Sequence, residues 1–366
     1  MMRVQSISDS LRYIIPTCVI FYMVYAEWAF SYLFCYNHVY RSSQDKAAML
    51  AFLVISNVLW FSVLVSWVFT FIRGPGIMPC RIPPYELSNF IHEGEKFKNV
   101  KNTDVSYEKS DISSESSLTV PLNRNVIPPP DIFECDYNGL PFWCSECSTL
   151  KLLRCHHSSV KDRCIPMFDH FCTFVGSTIG KDNFGFFLYF LFSMQTLMYF
   201  TCISIIVYSG VWGHLHAALI VFLITTGFMA ILVGNLAFNT VGDIYLGQTT
   251  IERLQRTRTK KKIAKSQSNE NDQTDLGEYV NVQHPTNRKL RVLVKLLPSD
   301  KPYNNGFRKN LRLWYTDFTR LGSPQQILMF QNSMFSEKFK ESISERINSG
   351  NYVIFGSQSK LQSVSV

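Results

Sequence analysis

The sequence predicts an all-α polytopic membrane protein in which four transmembrane helices carry a small cysteine-rich domain between the second and third helices. Long apolar runs alternate with strongly polar segments along the 366 residues, and a single soluble domain would not separate them so sharply. Aromatic residues reach 14 %, which suits transmembrane helices and their interfacial belts. Five of the ten cysteines lie within residues 144–172, and this clustering favours a metal or catalytic site over a disulfide framework.

The first two spans are predicted at residues 13–36 and 47–72, after a cytosolic N-terminus at 1–12. Both runs are long enough to cross a bilayer, and the first is too long for the core of a signal peptide. Glu27 lies inside the first run, so its carboxyl group either faces a polar cavity or hydrates at the far interface. Gly74-Pro75-Gly76 follows the second run, and no span continues through such a sequence.

The last two spans are predicted from a long interval without charge. No charged residue occurs from Phe184 to Gly242, which is too long for one span. Gly213, His214 and His216 mark a tight turn, so the spans are placed at 184–211 and 217–240. A polar linker at 85–130, disordered in its middle, and the cysteine-rich domain at 132–183 precede them.

The tail, residues 243–366, is predicted to be cytosolic and only partly structured. Its polar stretch at 256–277 has few apolar residues and is predicted to be mobile. Leu290 to Leu297 alternates like a short strand or a helix edge, and the aromatic-rich segment 302–318 is predicted to dock on the rest of the protein. The last forty residues carry no pattern that predicts structure.

The distribution of basic residues predicts the orientation. Four spans place both termini and the cysteine-rich domain on the same side of the membrane. The 37–46 loop carries only Arg41 and Lys46, whereas the 73–183 segment and the tail are rich in lysine and arginine, so the latter are predicted to be cytosolic. The cytosol keeps thiols reduced. The net charge of +8 suits a membrane surface or phosphates, and we expect no nucleic-acid partner because the basic residues flank the spans.

The cysteine-rich domain is predicted to hold one structural zinc ion. Two residues separate Cys144 from Cys147, a spacing that lets both sulfurs reach one tetrahedral ion. The predicted ligands are Cys144, Cys147, His157 and Cys164. Cys155 or His156 could replace one of them, and unmetallated thiols are a further alternative. Three thiolates and one imidazole make a closed site, and metal binding would supply folding free energy to a domain with few apolar residues.

One cysteine is left over once four ligands are assigned. Cys172 follows His170 by two residues, and Asp169 precedes the histidine. A neighbouring imidazole held by a carboxylate can take the proton of a thiol and activate it as a nucleophile. An Asp-His pair alone is usually a surface hydrogen bond, but its place between a metal domain and a membrane span favours catalysis.

A long-chain thioester suits a thiol nucleophile at the cytosolic face of a membrane. Its acyl chain can enter the four-helix bundle while its polar head stays in the cytosol. A hydrolase would need a water path and an oxyanion site, and the sequence shows neither. Lys151 and Arg154 could bind the phosphates of the head group, although ordinary solvated surface charge is the alternative.

These residues resemble the DHHC family of protein S-acyltransferases, or palmitoyltransferases. The resemblance runs from Cys144 to Phe187 and extends to Thr249-Thr250-Ile251-Glu252 after the last span. Gly74-Pro75-Gly76 resembles the family's Asp-Pro-Gly motif with its first residue changed. A C-terminal aromatic motif is matched by Tyr303, Gly306, Asn310 and Trp314.

The resemblance implies a two-step acyl transfer. His170 activates Cys172, which takes the acyl group from palmitoyl-CoA and passes it to cysteine thiols of cytosolic or membrane-associated target proteins. The resemblance also places Lys151 and Arg154 near CoA phosphates. Thr250 and Asn310 would hold the tail against the active site. The resemblance further implies that the cysteine-rich domain contains β-hairpins.

The departures from the family predict a reduced metal content. Family members usually bind a second zinc with ligands at positions that are Ser158, Lys161, Phe171 and Thr178 in this chain. All four ligands are missing together, which indicates that the whole second site was discarded. Phe171 also changes the active-site motif to Asp-His-Phe-Cys, a reduced pattern that some fungal members share. An inactive membrane scaffold of the same fold is the alternative function. A transporter or receptor would need polar side chains that converge inside the helical bundle, and Glu27, Asn235 and Asn239 give this alternative only weak support.

Overall fold

The computed structural model describes residues 2–90, 126–212, 215–266, 278–315 and 324–356. The chain forms two compact units. The first, here called the helical unit, comprises Met1–Gly76, Ile165–Arg253 and Gly306–Arg320. The second, here called the sheet unit, comprises Ile77–Cys164, Leu254–Asn305 and Leu321–Val366.

Four helices of the described chain are long and apolar enough to cross a membrane, as predicted. The candidate spans are Arg12–Ser42, Lys46–Arg73, Phe184–Gly210 and Ala217–Leu246. They belong to α1 (Met2–Trp28) with its π-helical continuation Ala29–Ser42, α2 (Lys46–Arg73), α3 (Phe184–Trp212) and α4 (Ala217–Leu246). Gly213 and His214 of the predicted turn lie outside the described residues, and His216 caps the N-terminus of α4.

Two helices end later than the sequence predicts. The first was expected to end near residue 36, but it continues to Ser42, because Phe34, Cys35 and Val39 are buried against α3 and α4. Burial thus keeps residues 37–42 helical, and the carboxylate of Asp45 then caps α2 by accepting the Ala48 N–H at 2.9 Å. Helix α4 likewise passes the expected residue 240 and ends at Leu246.

The cysteine-rich region is built from short hairpins, and the tail adds a sheet and helices. The strands are β1 (Ile132–Cys135), β2 (Trp143–Cys144), β3 (Thr149–Leu150), β4 (His156–Ser158), β5 (Arg163–Ile165), β6 (His170–Cys172), β7 (Ser177–Ile179), β8 (Tyr279–Gln283), β9 (Arg291–Lys295) and β10 (Val353–Ile354). The remaining α-helices are α5 (Thr250–Ser266), α6 (Phe307–Tyr315), α7 (Pro324–Met334) and α8 (Glu337–Asn348), and Ser88–Phe90 forms a short 3-10 helix. Two-stranded ladders join β2 to β3, β4 to β5 and β6 to β7.

The sheet of the sheet unit corrects the expectation of an all-α protein. Its strand order is β1-β8-β9-β10, with antiparallel pairs such as Ile132↔Val282 and Val280↔Val294. Arg291, the first residue of β9, is buried at 1 % exposure, and its guanidinium donates to the Asn281 side chain and the Pro130 carbonyl. Strand β1 and the tail strands are far apart in sequence, so no local pattern joins them.

The tail is more ordered than the sequence predicts. Residues 256–266, expected to be mobile, continue helix α5, while 267–277 lie outside the described residues, as does the middle of the linker at 91–125. Within the segment 302–318, helix α6 docks as predicted. Its Trp314 ring stacks on Phe184 with centroids 3.8 Å apart, and Asn310 Nδ2 donates to the Ile244 carbonyl at 2.9 Å. The last forty residues, for which no structure was predicted, contain most of α7 and all of α8 and β10.

Candidate active site and metal centre

Four donor atoms of the sheet unit converge on one point. They belong to Cys144, Cys147, His157 and Cys164, and all lie within 4.8 Å of one another. Strand β2 and the turn after it carry the first two sulfurs, β4 carries the imidazole, and β5 carries the last sulfur. The three thiols are buried and the imidazole is half-buried. The structure therefore brings together the side chains predicted to bind zinc.

The spacing of these atoms suits a tetrahedral zinc ion. Zinc–sulfur and zinc–nitrogen bonds of about 2.3 and 2.0 Å imply sulfur–nitrogen edges of roughly 3.5 Å in a tetrahedron. His157 Nδ1 lies 3.6 Å from Cys144 Sγ and 3.4 Å from Cys147 Sγ. The other ring nitrogen, Nε2, lies 3.7 Å from Asp162 Oδ1, where the carboxylate can orient the imidazole. The sequence analysis missed Asp162.

The thiols need a cation to ionise together. Burial raises the pKa of Cys147 to about 12, and the neighbouring Cys164 and Cys144 thiols add to the rise. The pKa of Cys164 is also raised, first by its hydrogen bond with Cys155 and then by burial. A bound divalent ion reverses this balance because it favours the thiolates. Cys155 is buried beside Cys164 but does not belong to the four-atom group.

The positions of the missing second site have other contacts. Phe171 and Thr178 face each other in the β6–β7 ladder, and the Arg12 guanidinium lies 5.7 Å from the centre of the Phe171 ring. Ser158 is buried and Lys161 is exposed. Among the described residues, the cluster at Cys144 is the one group of three or more possible metal-binding side chains.

A hairpin of the helical unit carries the predicted nucleophile. Strands β6 and β7 pair His170 with Ile179 and Cys172 with Ser177. The turn returns through Gly176, whose N–H donates to the Cys172 carbonyl at 2.9 Å and whose φ is +72°. A side chain there would meet Pro16 of α1 at 2.8 Å, so the close approach requires glycine. Cys172 itself is 5 % exposed.

Asp169, His170 and Cys172 form a connected chain of side chains. His170 Nδ1 donates to Asp169 Oδ2 at 2.6 Å, and the imidazole also hydrogen bonds with the Cys172 side chain. The ring packs edge-on against Phe187 with centroids 5.2 Å apart. This is the order of groups that activates a thiol: a carboxylate orients the imidazole, and the imidazole takes the thiol proton.

The pKa of His170 is raised to about 10. Burial opposes the charged imidazolium, but hydrogen bonds and charge interactions with Asp169 and Cys172 outweigh that opposition. The side chain of Asp169 is only 4 % exposed, so little solvent screens this pair. The site therefore favours a protonated imidazole near neutral pH.

The N-terminus of α5 holds Asp169 in place. The Thr250 N–H donates to Asp169 Oδ1 at 2.8 Å, while Thr249 and Glu252 form a reciprocal capping box with hydrogen bonds of 3.3 and 3.0 Å. The first N–H groups of a helix have no partner inside the helix, and its dipole favours a carboxylate. The resemblance predicted Thr250 as a tie, and the structure shows that its backbone makes the contact with Asp169.

Asp243 completes this support and was missed in the sequence analysis. Its carboxylate accepts hydrogen bonds from Arg253 Nε at 2.9 Å and from the Thr250 hydroxyl at 3.4 Å. The contact links the end of α4 to the start of α5. The one signal in the sequence is that Asp243 is the first acidic residue after the last apolar run.

The two predicted phosphate ligands lie in a loop of the sheet unit. Lys151 and Arg154 are both half-buried. The Arg154 guanidinium lies over the Tyr303 ring, 4.2 Å from its centre, and the preceding Leu153 N–H donates to Gln331 Oε1 at 3.1 Å. The tail thus orders this loop, a role that local sequence does not show for Tyr303 or Gln331.

Comparisons with known proteins point to one family. The family model described as DHHC palmitoyltransferase matches residues 138–257. The chain is 34 % identical over 194 residues to palmitoyltransferase PFA5 of Kluyveromyces lactis, covering 53 % of this chain and 50 % of that protein. It is 31 % identical over 198 residues to the Saccharomyces cerevisiae protein of that name, covering 54 % and 48 %.

A longer match is found with palmitoyltransferase PFA5 of Candida albicans, which is 27 % identical over 320 residues, covering 82 % of this chain and 69 % of that protein. The chain spans about half the length of the first two relatives. The comparisons support the DHHC palmitoyltransferase family and a domain of that kind in the region that contains both clusters.

Proposed function

We propose that this protein is a protein S-acyltransferase of the DHHC palmitoyltransferase family that moves palmitoyl groups from palmitoyl-CoA to cysteine thiols of target proteins. The observation that carries the proposal is the connected set Asp169–His170–Cys172 in a hairpin beside the ends of the candidate spans. The named relatives support the same activity.

The chemistry follows from the positions of the three side chains. The Cys172 thiol gives its proton to His170 and its sulfur attacks the thioester carbonyl, so a carbon–sulfur bond forms on Cys172. The bond to the CoA sulfur breaks, and the leaving CoA thiolate takes the proton from His170. The thiol of a target cysteine then gives its proton to His170 and attacks the acyl-enzyme, so the bond from the acyl carbon to Cys172 breaks and the Cys172 thiolate takes that proton. Two easier steps replace one difficult step.

An acyl-labelling experiment separates this proposal from an inactive scaffold. Membranes containing the full chain and labelled palmitoyl-CoA should yield a label on Cys172 that hydroxylamine removes, because hydroxylamine cleaves thioesters. A protein that retains zinc and fold but takes no label would instead be a scaffold. The intact triad favours the enzyme. The transporter alternative has little support, since neither Asn235 nor Asn239 lines the bundle cavity that holds Glu27.

One structural zinc ion belongs to this proposal. Cys144, Cys147, His157 and Cys164 would hold it, and the ion would supply fold stability and no chemistry of its own. The replacement of all four second-site ligands supports a single-zinc subgroup with an Asp-His-Phe-Cys motif. We further propose a multi-pass protein in the bilayer whose termini and active site face the cytosol, where protein substrates with accessible cysteines are found.

Asp169→Asn is expected to slow acyl-enzyme formation by roughly 10²- to 10⁴-fold, because the imidazole loses both its orienting acceptor and a charge. The same loss lowers the pKa of His170. The imidazolium that returns a proton to the CoA sulfur persists to about pH 10 in the native protein. The alkaline decline of the rate should therefore begin at a lower pH in the variant. Single-turnover labelling across pH measures both effects, with zinc content as the folding control. An alkaline decline that stays in place would show that His170 is not the proton carrier.

Lys151 and Arg154 are proposed to bind the phosphates of CoA. Lys151→Met keeps the apolar stem and removes the charge, so the KM for palmitoyl-CoA should rise about tenfold, the effect of one charge-assisted hydrogen bond. Palmitoyl-pantetheine lacks the phosphates and should show little change. Lys161→Met removes an exposed lysine of the same domain and serves as the matched control. Equal losses with both thioesters would assign Lys151 a structural role.

A further inference from the structure

A cavity inside the four-helix bundle carries polar groups that the reaction at Cys172 does not use. All four spans line it: Tyr22 and Glu27 from α1, Trp60 from α2, Met198 from α3 and Thr226 from α4. The space is small, about 30 Å³, which suits one terminal group rather than a whole molecule. Most of the lining is apolar, so the polar groups stand out.

Two of these polar groups are buried hydroxyls without a hydrogen-bond partner. They are Tyr22 Oη and Thr226 Oγ1. Glu27 lines the same cavity, and its Oε1 accepts a hydrogen bond from Ser31 at 2.8 Å, while Oε2 can act as a further acceptor. A buried polar group is normally satisfied, and an ionisable residue at membrane depth is by default a sign of function. Two unsatisfied hydroxyls and a carboxylate in one cavity indicate a ligand that carries a hydrogen-bonding group.

The depth of the cavity identifies what reaches it. On α1, Pro16 lies beside the turn of the catalytic hairpin, and Glu27 follows eleven residues later. On α3, Phe187 touches His170, and Met198 also follows eleven residues later. At about 1.5 Å per residue, each helix places the cavity roughly 16 Å from the catalytic hairpin. One leaflet of a bilayer, half of a hydrocarbon core of about 30 Å, has nearly that thickness. The far end of a long acyl chain on Cys172 would arrive at this depth.

We propose that this cavity binds a hydroxyl group carried at the far end of the acyl chain, so that hydroxylated long-chain acyl-CoA is a substrate class of the protein. The inference rests on the proposed acyl transfer. The chain hydroxyl donates to Glu27 and accepts from the hydroxyls of both Tyr22 and Thr226. A plain methyl end fills the same space but leaves these groups without partners.

The test compares palmitoyl-CoA with 16-hydroxypalmitoyl-CoA on the full chain in membranes. The measured quantity is the ratio of hydroxypalmitoyl to palmitoyl label on Cys172, which cancels any general loss of activity. Tyr22→Phe combined with Thr226→Val removes the two hydroxyls and keeps the side-chain shapes. We expect this ratio to fall about tenfold in the double variant, as two hydrogen bonds are lost.

The chain offers a matched control one turn or one residue away. Tyr25→Phe combined with Thr225→Val makes the same chemical changes at exposed positions that do not line the cavity, and it should leave the ratio as in the native protein. Glu27→Leu is a second, independent variant that should also lower the ratio. It keeps the inference testable if the double variant does not fold.

The outcomes separate the inference from the proposed function. A native protein that takes palmitoyl but not hydroxypalmitoyl label overturns the inference alone, as does a ratio that neither Tyr22→Phe with Thr226→Val nor Glu27→Leu changes. A native protein that takes no label from either thioester overturns the proposed acyl transfer itself. A selective fall in the cavity variants, with the control unchanged, supports the inference.

Discussion

Replacing Cys172 by serine is expected to abolish acyl labelling of the protein and acyl transfer to its targets. A serine hydroxyl fits the buried space of the thiol, but it does not ionise beside an imidazole as a thiol does and is a far weaker nucleophile toward a thioester. Removal of a nucleophile of this kind lowers the rate by a factor on the order of 10³ or more. Labelling with palmitoyl-CoA, followed by treatment with hydroxylamine, measures the loss directly.

The control for this variant is another cysteine of the same protein. Cys80 is exposed and lies outside both clusters, so Cys80→Ser should keep the full label. The metal content of Cys172→Ser should equal that of the native protein, because Cys172 is not one of the four clustered donors. A label that survives in Cys172→Ser, or disappears in Cys80→Ser, would place the nucleophile elsewhere.

Cys164→Ala is expected to release the zinc ion and unfold the cysteine-rich domain. The Cys164 side chain is fully buried and supplies one of the four clustered donor atoms. Structural zinc sites contribute on the order of 10–16 kcal/mol in small peptides, whereas whole domains are stable by only about 5–15 kcal/mol. Loss of one ligand therefore removes a large share of the stability of the domain. Elemental analysis and limited proteolysis of the purified protein measure the two effects.

The adjacent cysteine provides a sharp control for the ligand set. Cys155 is buried and hydrogen bonds with Cys164, yet it lies outside the four donors, so Cys155→Ala should keep one zinc per chain. If Cys155→Ala loses the zinc and Cys164→Ala keeps it, Cys155 rather than Cys164 is the fourth ligand. Two zinc ions per native chain would overturn the proposal of a single site.

Local spacing was enough to predict the elements whose cause is local. Apolar runs long enough for a bilayer predict four spans because hydrogen-bonded helices satisfy the backbone in lipid. Two residues between Cys144 and Cys147 let their sulfurs meet, and the neighbours of Cys172 suffice to propose a triad. Even for the spans, the helix boundaries differ from the predicted ones, since buried Val39 extends the first helix beyond its expected end.

Contacts between distant parts of the chain needed the folded molecule. The Thr250 N–H reaches Asp169, Arg154 stacks on Tyr303, and β1 pairs with β8, and each pair joins residues more than 80 positions apart. The polar groups around the bundle cavity also come from separate helices, so Glu27 alone could not distinguish a cavity from an interface.

Hydrophobicity, ligand spacing and the chemistry of adjacent side chains are properties of short stretches, and they alone predicted the four candidate spans, the candidate metal ligands and Cys172 as the candidate nucleophile. The support of Asp169, the order of the tail and the polar cavity depend on which helix ends and side chains meet in space. Long-range packing selects those meetings, and no short stretch of sequence encodes them.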